Sequence, residues 1–264
     1  MKILVPVKQV ARLREDFAAS AASAGNGAVE LAADALEWAP NEWDAFSLEA
    51  ALALSEGEGE TVVVSVGDER AEESLRAGLA MGADRALRVW DEALAGADAL
   101  AIARVLSAVA SAERPDLILC GAQSSDAASA ATGVALAGLL DIPHVAVVEQ
   151  IERDGGRLTV QRQLEGGAVE LLSVELPALL TVQTGINTPR RPNLRAIKQA
   201  RAASVTVLGL TDVGLDAGAV AASAGSRTVG LAPRLRGGGA TLIDGAPAEI
   251  AARIAAIVGE AMRA

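Results

Sequence analysis

KILVPV, residues 2–7, is the stretch on which the fold class depends. Apart from Lys2 it is a continuous apolar run, which is typical of a strand buried on both faces of a parallel sheet. Four similar patterns follow, at residues 60–67, 85–90, 116–121 and 144–151. Helical patterns separate them, at about residues 42–55, 69–81, 97–113 and 128–140. Strands that alternate with helices of this length form right-handed βαβ units. We therefore predict a layered, mostly parallel, Rossmann-like α/β sheet with helices on both faces.

After residue 157 the pattern changes to strands with no helix between them. The stretch VQRQLEGGAVELLSVELPALLTVQTG (160–185) alternates apolar and polar residues, contains a Glu-Gly-Gly turn, and continues as a fully apolar run. Strands are predicted near residues 157–164, 167–175 and 178–183, and later at 203–210. Pro177 sits at a strand start, where its missing N–H is tolerated. We therefore predict an antiparallel β-ribbon beside the parallel sheet.

Two segments carry little secondary-structure signal. The loop at residues 19–29 and the segment 211–244 are both rich in small residues. The last residues of the chain have the apolar spacing of an amphipathic helix. We predict a main domain over residues 1–210 and a C-terminal extension, or arm, over residues 211–264.

The charge and the reactive residue types limit the classes of function. The formal net charge is −11, and a negative field argues against nucleic-acid binding. Cys120 and His144 are the one cysteine and the one histidine, so a zinc site made from such ligands and a histidine-based triad are both poor hypotheses. Cys120 ends an apolar strand and is predicted to be a buried, inert thiol. His144 lies in an apolar segment and is predicted to be structural.

The apolar content of the chain does not indicate a membrane protein. Hydrophobic residues make up 51% of the chain, but the excess is mostly alanine. No window of about 18 residues is uninterruptedly apolar, as a spanning helix would require. The opening MKILVPVKQV has too short an apolar run for a signal peptide. Because one cysteine also excludes an internal disulfide, we expect a cytoplasmic protein.

Three strand ends are candidates for a ligand site, because ligands of parallel sheets bind beyond the carboxyl ends of the strands. They are PVK (6–8), SVG (65–67) and GAQSSDAASAATG (121–133), and none carries GxGxxG or a Walker sequence. The third leads into a helix start, where free N–H groups and hydroxyls favour a phosphate. The hydroxyls are those of Ser124, Ser125, Ser129 and Thr132. From these residues, a nucleotide site and a simple serine-rich helix cap remain equally open.

A basic segment (residues 186–201) interrupts the acidic chain. One interpretation is a solvated loop followed by an exposed helical turn. The other is a docking site for an acidic partner, with Leu194 as an exposed apolar anchor. The cations around it are Arg190, Arg191, Arg195 and Lys198. Pro189 and Pro192 stiffen the segment and lower the ordering cost of binding, so we favour docking.

Several of these stretches together resemble one family. Its signature is seen here as Val160, Arg162, Glu165-Gly166-Gly167, Glu170, Leu171, Pro177, Leu179-Leu180 and Thr181. MKILVPVKQV, NEWDAFSLEAAL, SLRAGLAMGADRALRVWD, GAQSSDAASAATG and INTPRRPNLRAIKQA support the match. The chain resembles the beta (small) subunit of electron transfer flavoprotein. It is most similar to the bacterial type that accepts electrons from trimethylamine dehydrogenase.

The resemblance implies a non-catalytic subunit of a heterodimeric electron carrier. In that family the alpha subunit holds most of the redox FAD, and the beta subunit binds an AMP that is structural. The residues that would bind AMP are Pro6, Lys8, Asn41, Glu42, Trp43, Asp44, Val66, Gln123, Ser124, Ser125, Asp126, Ala127, Ala128, Ser129, Thr132 and Gly133. Asn41 and Asp44 would serve the adenine or the ribose, and the loop from Ser124 to Thr132 would hold the phosphate.

The same resemblance implies partners and contacts. The extension at 211–264 would wrap the alpha subunit, and Glu165 would make an ionic contact with its mobile FAD domain. Leu13 and Trp43 are the candidates for a contact with the flavin ring. Leu194 would anchor a flavin dehydrogenase of the trimethylamine, dimethylamine, sarcosine or acyl-CoA type. The electrons would then pass to a quinone oxidoreductase.

Two other hypotheses share this architecture. In electron-bifurcating relatives a second FAD takes the place of the AMP, although the serine-rich loop here is similar to the AMP type. The alternative from a different class is an adenine-nucleotide hydrolase or stress-type ATP-binding protein. The identity of the bound nucleotide separates all three.

Overall fold

The structure is a computed structural model that describes residues 1–14, 36–57, 59–229 and 240–263. The predicted small-residue loop at 19–29 lies outside these ranges. The described residues fall into two compact units, the first ending at Val229 and the second formed by residues 240–263. None of the helices in these ranges combines the length and the apolar character that crossing a bilayer requires.

Within the described ranges, the first unit contains a main sheet of nine strands. In their order across the sheet they are β11 (Thr206–Leu208), β5 (Arg85–Val89), β4 (Glu60–Val66), β1 (Lys2–Pro6), β6 (Leu117–Gly121), β10 (Ala178–Val182), β7 (His144–Asp154), β8 (Arg157–Gln163) and β9 (Val169–Glu175). Neighbouring strands from β11 to β7 are parallel to one another, and the β7–β8 and β8–β9 pairs are antiparallel. The predicted mostly parallel sheet is therefore confirmed.

Helices cover both faces of this sheet. They are α1 (Glu42–Ser55), α2 (Ala71–Met81), α3 (Ala99–Glu113), α4 (Thr132–Leu140), α5 (Leu194–Ala202) and α6 (Ala217–Ala222). In β1, Ile3 and Val5 pack with α1 and α2 on one face, whereas Leu4 packs with α3 and α4 on the other. Both faces of the central strand are thus buried, as its continuous apolar sequence predicts.

The segment after residue 144 extends the main sheet. β7, β8 and β9 form two successive antiparallel hairpins, whose turns contain Gly155 and the pair Gly166 and Gly167, all three with positive φ. The chain then returns as β10 between β6 and β7, where Leu180 is fully buried. The alternating sequence thus builds the ribbon, and the fully apolar run builds an interior strand.

Three local features differ from the sequence-based expectations. A separate two-stranded antiparallel sheet of β2 (Gln9–Leu13) and β3 (Leu36–Pro40) is present, and α6 lies in the segment expected to be irregular. The helix predicted from residue 128 begins only at Thr132. Ala128 and Ala130 adopt φ values of 48° and 50°, and a left-handed residue interrupts a right-handed helix. Composition did not reveal this, because alanine ordinarily favours helix.

The second unit contains one long helix, α7 (Pro247–Ala261), among its described residues. Pro247 occupies the first turn, where its missing N–H costs nothing, and the carboxylate of Glu249 accepts a hydrogen bond from the Ala246 N–H at 3.1 Å. Ile254, Ile257 and Val258 remain about half exposed on this helix. The amphipathic pattern therefore produces a helix whose apolar side chains are partly exposed.

Replacing Leu180 with alanine should lower the free energy of unfolding by about 3 kcal/mol, because it removes a buried side chain and leaves a cavity. Leu171→Ala is the matched control, since this leucine of β9 is 69% exposed and its loss should change the value by less than about 0.5 kcal/mol. Urea unfolding followed by circular dichroism measures both. Equal effects of the two substitutions would contradict the assignment of β10 to the interior.

Candidate functional site

A cavity lies beyond the carboxyl ends of β1 and β6, where the strand order reverses. From β1 the chain proceeds to β4 and β5 on one side, whereas β6 lies on the other side. Crossover helices diverge at such a point and leave a crevice that binds ligands in open α/β sheets. The cavity has a volume of about 470 Å³, within the usual range for small-molecule sites.

Most of the residues predicted for a nucleotide surround this cavity. Those that line it are Pro6, Lys8, Asn41, Asp44, Val66, Gln123, Ser124, Ala127, Ser129, Thr132 and Gly133. The remaining five, Glu42, Trp43, Ser125, Asp126 and Ala128, are adjacent to lining residues in the chain but are not part of the wall. All three strand ends identified in the sequence thus meet in one place.

Asn41 joins the elements that build the cavity wall. Its side chain is buried, and its Nδ2 donates hydrogen bonds to Asp44 Oδ1 at 3.0 Å and to the Gln123 carbonyl at 2.9 Å. Its Oδ1 accepts from the Ser125 N–H at 3.2 Å, and its own N–H donates to the Lys8 carbonyl at 2.8 Å. The end of β1, the start of α1 and the loop after β6 are therefore held together by one amide side chain.

Asp44 is a buried carboxyl with an altered acidity. Burial raises its pKa to about 7, although hydrogen bonds from the Lys8 N–H and the Asn41 amide act in the opposite direction. The Lys8 N–H donates to Oδ2 at 2.7 Å. A Cβ on Gly121 would come within 2.4 Å of Asp44 Oδ1, so only glycine lets the end of β6 approach this carboxyl. Near neutral pH the group can therefore either donate or accept a hydrogen bond.

Lys8 carries the positive charge of the cavity. Its Nζ contacts Asp126 Oδ1 at 2.7 Å and Ser124 Oγ at 3.3 Å. Partial burial raises the pKa of Asp126, but the hydrogen bonds from Lys8 and Ser124 and the Lys8 charge outweigh this, so the pKa lies below its ordinary value. Asp126 thus serves as the counter-ion of Lys8 beside the cavity.

The first turn of α4 faces the cavity with free donors. Its N-cap residue, Ala131, has no side chain that can accept hydrogen bonds from the first N–H groups of the helix. Thr132 and Gly133 of this turn line the cavity. A Cβ on Gly133 would lie 2.8 Å from Thr181 Cγ2, so glycine is required for α4 to pack this closely on β10. The turn offers N–H groups and a positive dipole end to an anion.

One wall of the cavity was not predicted from the sequence. It consists of Leu94, Asp98, Ile102, Leu106, Ser226 and Thr228. Asp98 caps α3 and also accepts hydrogen bonds from the Gly225 and Ser226 N–H groups, each at 2.8 Å. An aspartate just ahead of a helical pattern is an N-cap signal that was available in the sequence. Nothing in the small-residue composition near Ser226 indicated that it returns to this wall.

The remaining reactive side chains do not form a catalytic group. Cys120 is buried at the cavity, and burial, followed by the charge of Asp44, raises the pKa of its thiol well above the ordinary value. His144 is exposed at the first residue of β7. Among the described residues, no three His, Cys, Asp or Glu side chains cluster as metal ligands.

The basic segment leaves β10 and ends in α5. Leu194 is the first residue of this helix and is 85% exposed, and Asn193 Oδ1 caps the helix by accepting from the Ala196 N–H at 2.9 Å. Arg190 pairs with Glu49 of α1. Within the described part of the chain, the other three predicted docking cations, Arg191, Arg195 and Lys198, have no ion pair.

Of the residues predicted to contact a second subunit, Glu165 and Leu13 are exposed, whereas Trp43 is half-buried. Glu165 is in the exposed turn between β8 and β9, below which Arg162 Nε and Glu170 Oε2 pair at 2.6 Å. Leu13 ends β2 and is 54% exposed. Trp43 Nε1 donates to Gln183 Oε1 at 3.0 Å, so this ring is fixed against the segment after β10.

The chain is similar to known proteins along its whole length. Residues 29–213 match the family model described as "Electron transfer flavoprotein domain". An "Electron transfer flavoprotein subunit beta" of Methylophilus methylotrophus is 43% identical over 98% of both chains. Proteins of the same description are 36% identical in Bradyrhizobium diazoefficiens, over 82% of this chain and 84% of the relative, and 39% identical in Thermoanaerobacterium thermosaccharolyticum, over 67% and 68%.

Lowering the pH from about 8 to about 6 should stabilise the chain through Asp44, by on the order of 1 kcal/mol. Its pKa is raised in the folded chain to about 7, so the folded state binds a proton that the unfolded state does not. The resulting stability is fully present below the ordinary pKa of 3.8 and is lost as the pH rises through about 7.

Urea unfolding of the chain at each pH measures this gain in the free energy of unfolding. Asp44→Asn cannot titrate, so its stability should lack the gain, even though the amide satisfies the surrounding donors less well and lowers stability throughout. If the parent and the variant have the same pH dependence over this interval, Asp44 is not the titrating group.

Proposed function

The chain belongs to the beta-subunit family of electron transfer flavoproteins, and we propose that it binds a structural AMP and docks a flavin dehydrogenase for an FAD held mainly by an alpha subunit. Members of this family carry electrons and are not catalytic enzymes. The chemistry of electron uptake and release is supplied by FAD. The residues of this chain provide binding, position and recognition.

The cavity at the strand reversal is the observation that carries the AMP proposal. Its walls suit each part of a mononucleotide: Leu94, Ile102 and Leu106 offer an apolar surface, and Asn41 and Asp44 offer directional polar groups. The free first turn of α4 suits a phosphate. The volume of about 470 Å³ lies in the lower half of the range for ligand sites, which favours a mononucleotide over a second FAD.

Two exposed features support pairing with an alpha subunit. The C-terminal extension carries α7 with its half-exposed Ile254, Ile257 and Val258, and an apolar face of this kind is stabilised when a partner covers it. Glu165 stands in an exposed turn whose base is fixed, which suits an ionic contact with a mobile FAD domain. Leu13 and Trp43 are proposed as the residues nearest the flavin ring.

The basic segment supports docking of a dehydrogenase. Leu194 combines high exposure with a fixed position at the start of α5, as an interface anchor requires. The surrounding Arg191, Arg195 and Lys198 suit an acidic rim on the partner. We assign the donor to the flavin dehydrogenases that act on trimethylamine, dimethylamine, sarcosine or acyl-CoA, and the acceptor to a quinone oxidoreductase.

The nucleotide released from the denatured heterodimer should be AMP, in roughly stoichiometric amount with the FAD. Mass spectrometry of the supernatant identifies it directly. A second equivalent of FAD in place of AMP would instead indicate a bifurcating-type subunit, and ATP with measurable turnover would indicate a hydrolase. Either result would refute the AMP proposal.

Leu194→Ala should slow reduction of the heterodimer's FAD by at least about tenfold at low concentrations of the dehydrogenase, because a leucine buried in a pocket contributes about 1.5–3 kcal/mol. Stopped-flow absorbance measures the rate, using whichever of the four dehydrogenases reduces the parent protein fastest. FAD and AMP contents should not change.

Val207→Ala is the matched control for this substitution. Val207 is 52% exposed on the edge strand β11, outside the basic segment, and its replacement should leave the rate unchanged. Unaltered kinetics of Leu194→Ala, or equal losses in both variants, would rule out the docking role of Leu194.

A further inference from the structure

We propose that Glu49 and Arg190 form an internal clamp that positions Leu194, so that Arg190 acts within this chain and does not face the dehydrogenase. The proposal rests on the docking function of the basic segment. It assigns a positioning role to Glu49, a residue of α1 that no sequence pattern singled out. It also divides the four predicted docking cations into one structural residue and three available ones.

The contact between Glu49 and Arg190 has three hydrogen bonds. Arg190 Nε and its backbone N–H donate to Glu49 Oε2 at 2.8 and 2.9 Å, and Nη2 donates to Oε1 at 2.9 Å. The side chain of Glu49 is 13% exposed, whereas that of Arg190 is 48% exposed. A carboxylate held in this two-pronged geometry fixes both the guanidinium and the backbone at residue 190. Removal of this carboxylate would therefore release the chain four residues before Leu194.

The acidity of Glu49 agrees with this geometry. Hydrogen bonds from the Arg190 side chain lower the pKa of Glu49, and they outweigh the effect of its partial burial. Glu49 is therefore ionised in its contact with Arg190. The Nε–H and one Nη2–H of Arg190 are used in this contact, and its charge is already balanced by a carboxylate of the same chain.

Three of the four predicted docking cations are unpaired in the described part of the chain: one directly follows Arg190, and the other two follow Leu194 in α5. Arg191, Arg195 and Lys198 make no ion pair with any described residue, so their charge is available to a partner. The segment thus contains two kinds of basic residue that composition does not distinguish. A basic residue of the segment is structural where an acidic side chain of the same chain pairs with it, and is available to a partner where none does.

Two further contacts hold the segment on the body of the protein. Asn187 Nδ2 donates to the Phe46 carbonyl of α1 at 2.9 Å. At the far end, Arg76 of α2 donates to the Ala200, Arg201 and Ala203 carbonyls at 3.0–3.2 Å and so caps the end of α5. The segment is therefore tied down on both sides of Leu194, with the Glu49 contact nearest to it on the N-terminal side.

The physical benefit of the clamp is entropic. Leu194 makes almost no contact within its own chain, so its position depends on the backbone that carries it. A flexible backbone would have to be ordered when the dehydrogenase binds, and this ordering costs conformational entropy. A backbone that is already ordered avoids this cost, and the saving appears as tighter docking.

The central test is a double-mutant cycle in the heterodimer. Glu49→Gln alone should slow reduction by the dehydrogenase roughly three- to tenfold at limiting concentration, because docking loses its preorganisation. In the Leu194→Ala background the same substitution should cost less than about twofold, since no anchor is left to position. The FAD and AMP contents and the rate at saturating dehydrogenase should stay unchanged in all variants.

Charge exchange separates a clamp from a direct contact. Glu49→Arg and Arg190→Glu should each slow docking, and the two together should restore most of the parent rate if the residues act on each other. If Arg190 contacts the dehydrogenase directly, the exchanged pair stays as slow as Arg190→Glu alone, and the proposal fails. Amide hydrogen exchange over residues 190–202 gives a readout without a partner: Glu49→Gln should speed it, and unchanged exchange overturns the clamp.

Glu113→Gln is the control for loss of a comparable ion pair. Glu113, the last residue of α3, is 17% exposed, is paired with Lys2 and Arg85 at the first residues of β1 and β5, and has a pKa lowered chiefly by Arg85. Its substitution should leave both docking and exchange in 190–202 unchanged. If Glu49→Gln slows reduction by the same factor with and without Leu194, the clamp is overturned, while the docking role of Leu194 stands. No effect of Leu194→Ala alone would overturn the docking role itself.

Discussion

The position of β1 in the middle of the sheet is the constraint on which the rest of the structure depends. Right-handed crossovers put α1 and α2 on one face as the chain moves from β1 to β4 and β5. To place β6 on the other side of β1, the chain must cross with α3 on the opposite face. The helices therefore separate at the carboxyl ends of β1 and β6, and the cavity is the space between them. A strand buried on both faces is thus the origin of both the fold and the site.

The sequence predicted the features that follow from burial and periodicity. The apolar strands, the helices between them and the convergence of three strand ends are all consequences of one-dimensional patterns. The wall containing Asp98 and Ser226 was missed, because the return of a small-residue segment to the cavity depends on hydrogen bonds to one carboxylate. The late start of α4 was missed for a related reason, since left-handed alanines at 128 and 130 are imposed by the surrounding loop and not by their own propensity.

α1 belongs to both candidate sites. Its start carries Asn41 and Asp44 at the cavity, and five residues further on Glu49 holds Arg190 of the basic segment. A rigid helix rises about 1.5 Å per residue, so the two contacts are separated by less than two turns. A nucleotide that fixed the beginning of α1 would also fix the surface on which the basic segment rests. Such a nucleotide would link the two candidate sites through one rigid helix.

The chemistry of the cavity agrees with a ligand that is held and not converted. Burial raises the pKa of the Cys120 thiol and so disfavours the thiolate, and the ammonium group of Lys8 is held in an ion pair with Asp126. Neither side chain is therefore an activated nucleophile. Asp44, with a pKa of about 7, can exchange between donor and acceptor at neutral pH and so adapt to a polar edge of a bound base or sugar. The hydrogen bonds that it accepts from the Lys8 N–H and the Asn41 amide hold the carboxyl in place. A buried carboxyl with this environment contributes recognition and rigidity, which are the properties that a structural nucleotide site needs.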